Sequence, residues 1–179
     1  MLPILTPALI NAFNAKDVLL AWMAMERGIQ RAGDGSFQSR LAEHWWFGRG
    51  MQKHPDTLLS HIENLQRFLR SGETLVIDYD PVARYDYANC YIGQEPKTIY
   101  LCDGLNRPEF APYAVLHRGL TGYERYIPSL AHELSHLVLN TNDWLDEHYD
   151  EAARKLPRTS AWQALHNADN WAYFIEMCR

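Results

Sequence analysis

The chain has 179 residues, of which 47% are hydrophobic and 22% charged, the balance of an ordinary globular protein. Its formal net charge is −5 and it contains no basic run, which argues against a nucleic-acid partner. No stretch of about 18 apolar residues occurs, so we expect no membrane span. The length predicts a single domain, residues 1–179, with a substantial core.

The first 70 residues carry helical patterning. Apolar residues recur at helical spacing over residues 9–32, where Asn14-Ala15-Lys16-Asp17 can divide the run into two helices. A shorter helix is predicted from Gln38 to Trp46. Thr57–Arg70 is the clearest amphipathic helix, because its apolar side chains form one stripe: Leu58, Leu59, Ile62, Leu65, Phe68 and Leu69.

The period then changes to that of β-strands. Residues 74–79 read as one strand, and residues 90–92 with residues 98–102 read as a β-hairpin. We therefore expect a small antiparallel sheet. Cys90 and Cys102 flank the hairpin and could be bridged, but spacing alone leaves two free thiols equally open.

A metal-binding motif follows, at His132-Glu133-Leu134-Ser135-His136. Two His residues four positions apart lie on one face of a helix, and both rings can reach one zinc ion. Glu133 can then act as general base on a water bound to the metal. Pro128 and Ser129 mark the start of this helix, and its remaining faces are apolar, which favours a zinc site over an ordinary amphipathic helix.

Catalytic zinc sites usually have three protein ligands, and the residues alone leave the third open. Glu151 and Glu176 are possible ligands, although nothing around them is distinctive. Asp146 lies three residues before Tyr149, so it would offer a carboxylate together with a phenol able to stabilise an oxyanion. A last helix is predicted from about Ser160 to Cys178.

The motif followed by Asp146-x-x-Tyr149 resembles the aspzincins, the family of deuterolysins and peptidyl-Lys metalloendopeptidases. Three further stretches match in order: Trp46-Phe47-Gly48, Thr98-Ile99-Tyr100-Leu101-Cys102, and Asn167-Ala168-Asp169 with Trp171, Tyr173 and Phe174. The resemblance covers roughly residues 40–176. It implies an α+β, zincin-like metalloprotease fold that is mostly helical, with a helical extension over residues 1–38 and a catalytic core over residues 39–179.

The resemblance also implies roles for individual residues. His132, His136 and Asp146 would bind Zn²⁺, Glu133 would be the base, and Tyr149 would stabilise the oxyanion. The spacing after the helix departs from the family pattern, which makes Asp143 a rival third ligand. Asp169 matches a position that receives a substrate lysine, but Ala172 stands where a second acid is expected. The family position of Cys102 favours a Cys90–Cys102 bridge.

The predicted function is that of a zinc metalloendopeptidase acting on proteins or peptides, with a possible preference for Lys or other basic residues beside the scissile bond. One alternative is the same catalytic domain acting as a bacterial toxin or effector, which would have a cognate inhibitor or immunity protein. Another is a non-catalytic binding module on this fold. The N-terminus is a poor signal peptide, so the chain is either cytoplasmic or a mature or excised domain exported by some other route. We expect the second, a secreted or periplasmic protein.

Overall fold

The computed structural model describes residues 1–53, 55–83, 86–106, 122–144 and 149–179. This part of the chain forms eight α-helices around one four-stranded sheet. The helices are α1 (Pro7–Ala12), α2 (Ala15–Arg31), α3 (Phe37–Trp46), α4 (Pro55–Arg70), α5 (Ile127–Leu139), α6 (Tyr149–Thr159), α7 (Ala161–Leu165) and α8 (Ala168–Cys178). The strands are β1 (Ile4–Leu5), β2 (Leu75–Asp80), β3 (Ala88–Cys90) and β4 (Lys97–Cys102).

The N-terminal helices belong to the same core as the rest of the fold. The expected division of residues 9–32 is confirmed: α1 ends before Phe13, and Asn14 caps α2 by accepting a hydrogen bond from the Lys16 amide at 3.1 Å. Trp22 is fully buried, and its indole nitrogen donates to the Met1 carbonyl at 2.8 Å. No helix among the described residues is both long and apolar enough to cross a membrane.

The sheet is mixed, so the expectation of an antiparallel sheet is only partly right. Its strand order is β1-β2-β4-β3, with β1 and β4 parallel to β2, and only β3 and β4 antiparallel. The hairpin is confirmed by the pairing of Cys90 with Ile99. The sequence pattern missed the parallel pairs because these strands are brought together by long connections, which strand periodicity does not encode.

The expected Cys90–Cys102 disulfide is wrong, since all three cysteines of the chain are free thiols. Cys90 pairs with Ile99, so their side chains share one face of the sheet. Cys102 lies three positions after Ile99 on the same strand, and an odd separation places its side chain on the opposite face. The two sulfur atoms therefore lie on opposite sides of the hairpin and cannot form a bond.

The helix α5 lies at the centre of the molecule, packed against α8, α2, α4 and β3. Close approach of α2 to α8 is made possible by Gly28, where an added Cβ would collide with the carbonyl oxygen of Ile175. Trp171 and Phe174 of α8 are fully buried against Phe47, their ring centroids 4.9 and 5.0 Å from its ring. The core thus surrounds α5 on several sides.

The predicted last helix is two helices. The segment between α7 and α8 bonds instead to residue 142: the Asn142 amide donates to the His166 carbonyl at 2.9 Å, and the Ala168 amide donates to the Asn142 carbonyl at 3.1 Å. Asn142 and Asn167 form an isolated parallel bridge. This tertiary pairing interrupts the helix, and it fixes the segment after α5 against the start of α8.

Candidate metal centre

The α5 helix presents its polar motif from an otherwise apolar, buried sequence. Pro128 lies in the first turn, where its missing amide hydrogen costs nothing. The helix ends at Asn140, which adopts the left-handed conformation with φ 54° and ψ 43° and donates its amide to the His136 carbonyl. This left-handed residue turns the chain back across the face that carries the two His residues.

Three side chains converge on one point beside α5. The Nε2 atoms of His132 and His136 are 3.0 Å apart, and Oδ1 of Asp143 lies 3.0 Å from the first and 3.3 Å from the second. Among the described residues, this is the cluster of His, Cys, Asp and Glu side chains whose ligand atoms could hold a metal ion.

The donor set and its spacing fit zinc. Imidazole nitrogen and carboxylate oxygen bind Zn²⁺ at about 2.0–2.2 Å, so two ligands of a tetrahedral site lie about 3.3 Å apart. The observed separations of 3.0–3.3 Å match that spacing. Three protein ligands leave a fourth position open, as catalytic zinc sites require.

Both His side chains are oriented through their other ring nitrogen. The Nδ1 atom of His132 lies 2.9 Å from Oδ1 of Asp169, which is 1% exposed on α8. The Nδ1 atom of His136 lies 2.8 Å from the carbonyl oxygen of Thr141. Such contacts fix the ring tautomer so that Nε2 is the free ligand atom, and they raise its basicity.

The position of Asp143 is set by its neighbours along the chain. Asn142 is paired with the backbone on either side of Asn167, as described above. On the other side, the amide of Trp144 donates to Oδ1 of Asn167 at 3.2 Å, and its indole nitrogen donates to the His166 carbonyl at 3.2 Å. Asp143 is thus held between two anchored residues and pointed at α5.

A cleft of about 530 Å³ lies between β3 and α5 and contains the cluster. Glu133 lines it beside this cluster, with Oε1 4.0 Å from Nε2 of His132. The described side chains that line the cleft include the acids Asp86, Glu133 and Asp143 and no Lys or Arg. The cleft therefore favours water, cations and hydrogen-bond donors over anions.

The protonation of these groups is strongly coupled. Burial is the largest single influence on His132 and His136 and would lower the pKa of each, but the hydrogen bonds with Asp143 and the other nearby acceptors and carboxylates together outweigh it, so both pKa values are raised. The same hydrogen bonds hold the pKa of Asp143 far below its usual range. Burial raises the pKa of Glu133 above its usual value.

The predicted site residues fall into two groups. His132, Glu133 and His136 lie together in the cleft, and Asp169 lies behind His132 rather than in the cleft lining. Asp146 lies outside the described residues, and so does the side chain of Tyr149, the first residue of α6. The carboxylate that the structure brings to the two His residues is that of Asp143, the rival ligand.

Two contributors to the site were not predicted from the sequence. Thr141 is 1% exposed, and its hydroxyl lies 2.8 Å from that of Ser135 and 3.3 Å from Nδ1 of His136. Ser129 lines the cleft one helical turn before Glu133. A Ser at helical spacing from the motif is the signal that could have identified Ser129, since positions 129 and 133 share a helix face.

Comparisons with known proteins identify the family and the fold. Residues 33–176 match the family model of the aspzincins, described as lysine-specific metallo-endopeptidase. Among solved structures, a zinc peptidase from Grifola frondosa is similar in fold, with a TM-score of 0.62 and 22% sequence identity over 90% of this chain and 93% of that chain. No curated protein matches the sequence.

Proposed function

The chain belongs to the aspzincin family of zinc metallopeptidases, and from this premise we propose that it is an endopeptidase in which His132, His136 and Asp143 hold the zinc ion and Glu133 is the general base. The observation that carries the proposal is the convergence of two imidazole nitrogens and one carboxylate oxygen within 3.3 Å of one another, with Glu133 beside them. A site that only stabilised the fold would have no use for that carboxylate at its open side.

The zinc ion, when bound, lowers the pKa of a coordinated water to about 7 and polarises the scissile carbonyl group. Glu133 takes a proton from the attacking water and passes it to the leaving amine. Its burial, at 5% exposure, keeps bulk water from competing for that proton. Asp169 and Thr141 hold the two imidazole rings so that no reorientation is needed during the reaction.

Among the residues that the structure describes, β3 is an edge strand, and its outer edge offers a place for the substrate backbone. The Cys102 amide donates to the Tyr87 carbonyl, and hydrogen-bonded pairs alternate along an antiparallel ladder. Ala88 and Cys90 therefore direct their backbone N–H and C=O groups away from β4. An extended peptide added at this edge would lie along the cleft in front of α5, in the manner of β-strand addition.

The packing of β3 against α5 sets the distance between this edge and the base. The Cys90 thiol lies 3.7 Å from the backbone carbonyl oxygen of Glu133, to which it donates. Burial raises the pKa of Cys90, so the thiol stays protonated and acts as a donor. A substrate aligned by Cys90 is thereby aligned with Glu133.

The acidic positions that the family pattern places on the last helix do not form a lysine-binding subsite in this chain. Asp169 is buried against His132, and Ala172 is fully buried in the core. We therefore assign to Asp169 the role of orienting His132. A subsite for a basic substrate side chain would have to lie elsewhere in the cleft. The acidic lining of the cleft is compatible with a basic substrate side chain.

The test is to measure bound zinc and peptide-bond cleavage for the native chain and for Glu133→Gln. We expect one zinc ion per chain in both proteins, cleavage of a denatured protein substrate by the native chain, and a loss of at least about 100-fold in kcat for the variant. Normal activity of Glu133→Gln would overturn the assignment. A native chain that binds zinc and cleaves nothing would favour a binding module.

A further inference from the structure

A second cavity, of about 740 Å³, lies between the end of α3, the 3₁₀ turn Arg49–Lys53 and the junction of α6 with α7. None of the described residues lines both this cavity and the metal cleft. The chain as a whole has a formal net charge of −5, yet no Asp or Glu is among the described residues that line the second cavity. Its lining instead includes three Arg and one His: Arg49, Arg154, Arg158 and His44.

Two of these guanidinium groups are available to an external anion. Arg49 and Arg158 are exposed, and neither side chain forms a salt bridge or hydrogen bond with another residue in the described part of the chain. Other cations of the surface do have partners: Lys97 lies 3.0 Å from a carboxylate oxygen of Glu73, for example. The guanidinium group presents a planar fork of donors, which matches the two oxygens of a carboxylate.

Close backbone packing fixes the walls of this cavity relative to one another. Gly48 has φ 75°, and an added Cβ there would lie only 2.9 Å from Cβ of Pro157, so a glycine is needed where the chain leaves α3 and passes α6. The buried Asn170 side chain donates to the carbonyl oxygens of Trp46 and Ala153 at 2.6 and 2.9 Å, which joins α3 to α6. The basic side chains therefore extend from backbone whose position is already set.

The cavity also offers apolar surface and continues beyond its own limits. Trp45 is 46% exposed, and the guanidinium of Arg154 lies over its ring, 5.4 Å from the ring centre. A smaller cavity of about 300 Å³ adds apolar side chains of α4, including Leu58 and Leu59, and one acid, Glu43. The two cavities adjoin, because they share three lining residues: His44, Gly48 and Arg49. We call the two cavities together the basic groove.

We propose that the basic groove binds an acidic segment of a partner protein, whose carboxylates pair with Arg49 and Arg158 while an apolar side chain packs on Trp45. This inference is independent of the proposed peptidase function. The size of the groove favours a peptide over a small anion, because cavities of about 300–1,000 Å³ enclose ligands of many atoms. The net charge of −5 disfavours a nucleic acid, since an extended polyanion would also meet the acidic remainder of the surface.

The test is a fluorescence-anisotropy titration of the peptide Asp-Glu-Phe-Glu-Asp, labelled with a neutral dye, in the Glu133→Gln background so that it is not cleaved. Arg49→Gln combined with Arg158→Gln should weaken binding by about 10-fold or more at low ionic strength. Trp45→Ser should weaken it by about 3- to 10-fold, because the apolar contact is lost. The matched control combines Arg67→Gln with Arg70→Gln, which removes two exposed charges from α4 outside the groove and should change affinity by less than about 2-fold.

Three results would overturn the inference. The first is a peptide that does not bind, or that binds the groove variant and the control equally well. The second is displacement of the peptide by inorganic phosphate at a similar concentration, because the groove would then hold a small anion. The third is a short single-stranded RNA that binds more tightly than the peptide with the same dependence on Arg49 and Arg158. The substituted Arg residues are exposed, so melting temperatures should stay within about 2 °C and exclude unfolding as the cause of lost binding.

Discussion

Nδ1 of His132 lies 2.9 Å from Oδ1 of Asp169, a carboxylate that reaches the imidazole ring from the core and not from the cleft. This contact fixes the ring tautomer that leaves Nε2 free for the metal. Removing such a partner typically weakens metal binding by about 10- to 100-fold.

We therefore expect Asp169→Asn to lower zinc affinity by about 10- to 100-fold while leaving KM for peptides nearly unchanged once zinc is saturating. Competition with a fluorescent chelator measures the affinity, and peptide kinetics measure KM. If Asp169 instead received a substrate lysine, the result would be reversed: zinc affinity would be normal, and KM for Lys peptides would rise.

The third zinc ligand can be tested by two matched substitutions. Asp143→Asn should reduce zinc affinity by more than about 100-fold, because it removes the charged donor that faces both His residues. Asp146→Asn should change the affinity far less. Equilibrium dialysis with metal analysis distinguishes the two, and the opposite ranking would return the ligand role to Asp146.

The predicted oxyanion role of Tyr149 has its own test. Tyr149→Phe removes one hydroxyl and should lower kcat by about 100-fold or more, with little change in zinc affinity. The loss should appear in kcat and not in KM, because the oxyanion exists only in the transition state. A variant with normal kcat would leave the role to another donor.

Zinc affinity should increase with pH. In the metal-free protein the raised pKa values of His132 and His136 keep protons on nitrogens that must be deprotonated to bind zinc. Affinity should rise from pH 6.5 upward until the raised pKa values are passed, and binding should release protons. Calorimetry in buffers of different ionisation enthalpy counts those protons.

The stability of the metal-free protein should change in the opposite direction. A His whose folded pKa lies above its unfolded value stabilises the fold below about pH 6.5, and this contribution is lost as pH rises through the folded pKa. Chelated protein should therefore become less stable from neutral to alkaline pH. Thermal melts with and without zinc, recorded between pH 6 and 9, should diverge.

The contact between α2 and α8 should be intolerant of added volume. Gly28→Ala places a Cβ against the backbone carbonyl of Ile175, which cannot move aside as a side chain would. We expect a destabilisation of about 1–3 kcal/mol, measured by urea unfolding. Gln30→Ala, an exposed position on the same helix, should be nearly neutral and serves as the control.

The sequence predicted the parts of this protein that depend on local pattern. The stripe from Leu58 to Leu69 and the alternation around Val76 specify α4 and β2, because helix and strand periods are properties of neighbouring residues. The two-residue strand β1 is too short to carry a period. The break at His166 and Asn167 was missed because the apolar pattern continues through it, and the interruption comes from distant Asn142.

The candidate site also has one part that local spacing predicts and one part that depends on distant contacts. His132, Glu133 and His136 share one helix face, so spacing alone brings them together. The position of Asp143 depends on the left-handed turn at Asn140 and on the anchoring of residues 142 and 144 to the start of α8. Neither dependence can be seen in a linear spacing, which is why the residues alone left the third ligand open.

Trp144 gives this centre an optical reporter of its own. Its indole ring is 43% exposed, hydrogen-bonded to the His166 carbonyl, and attached one residue after the carboxylate that faces the two His residues. A shift of the Asp143 backbone when the carboxylate binds zinc would also move this ring. Binding and removal of zinc should therefore change the intrinsic tryptophan fluorescence. Trp144→Phe should abolish that change.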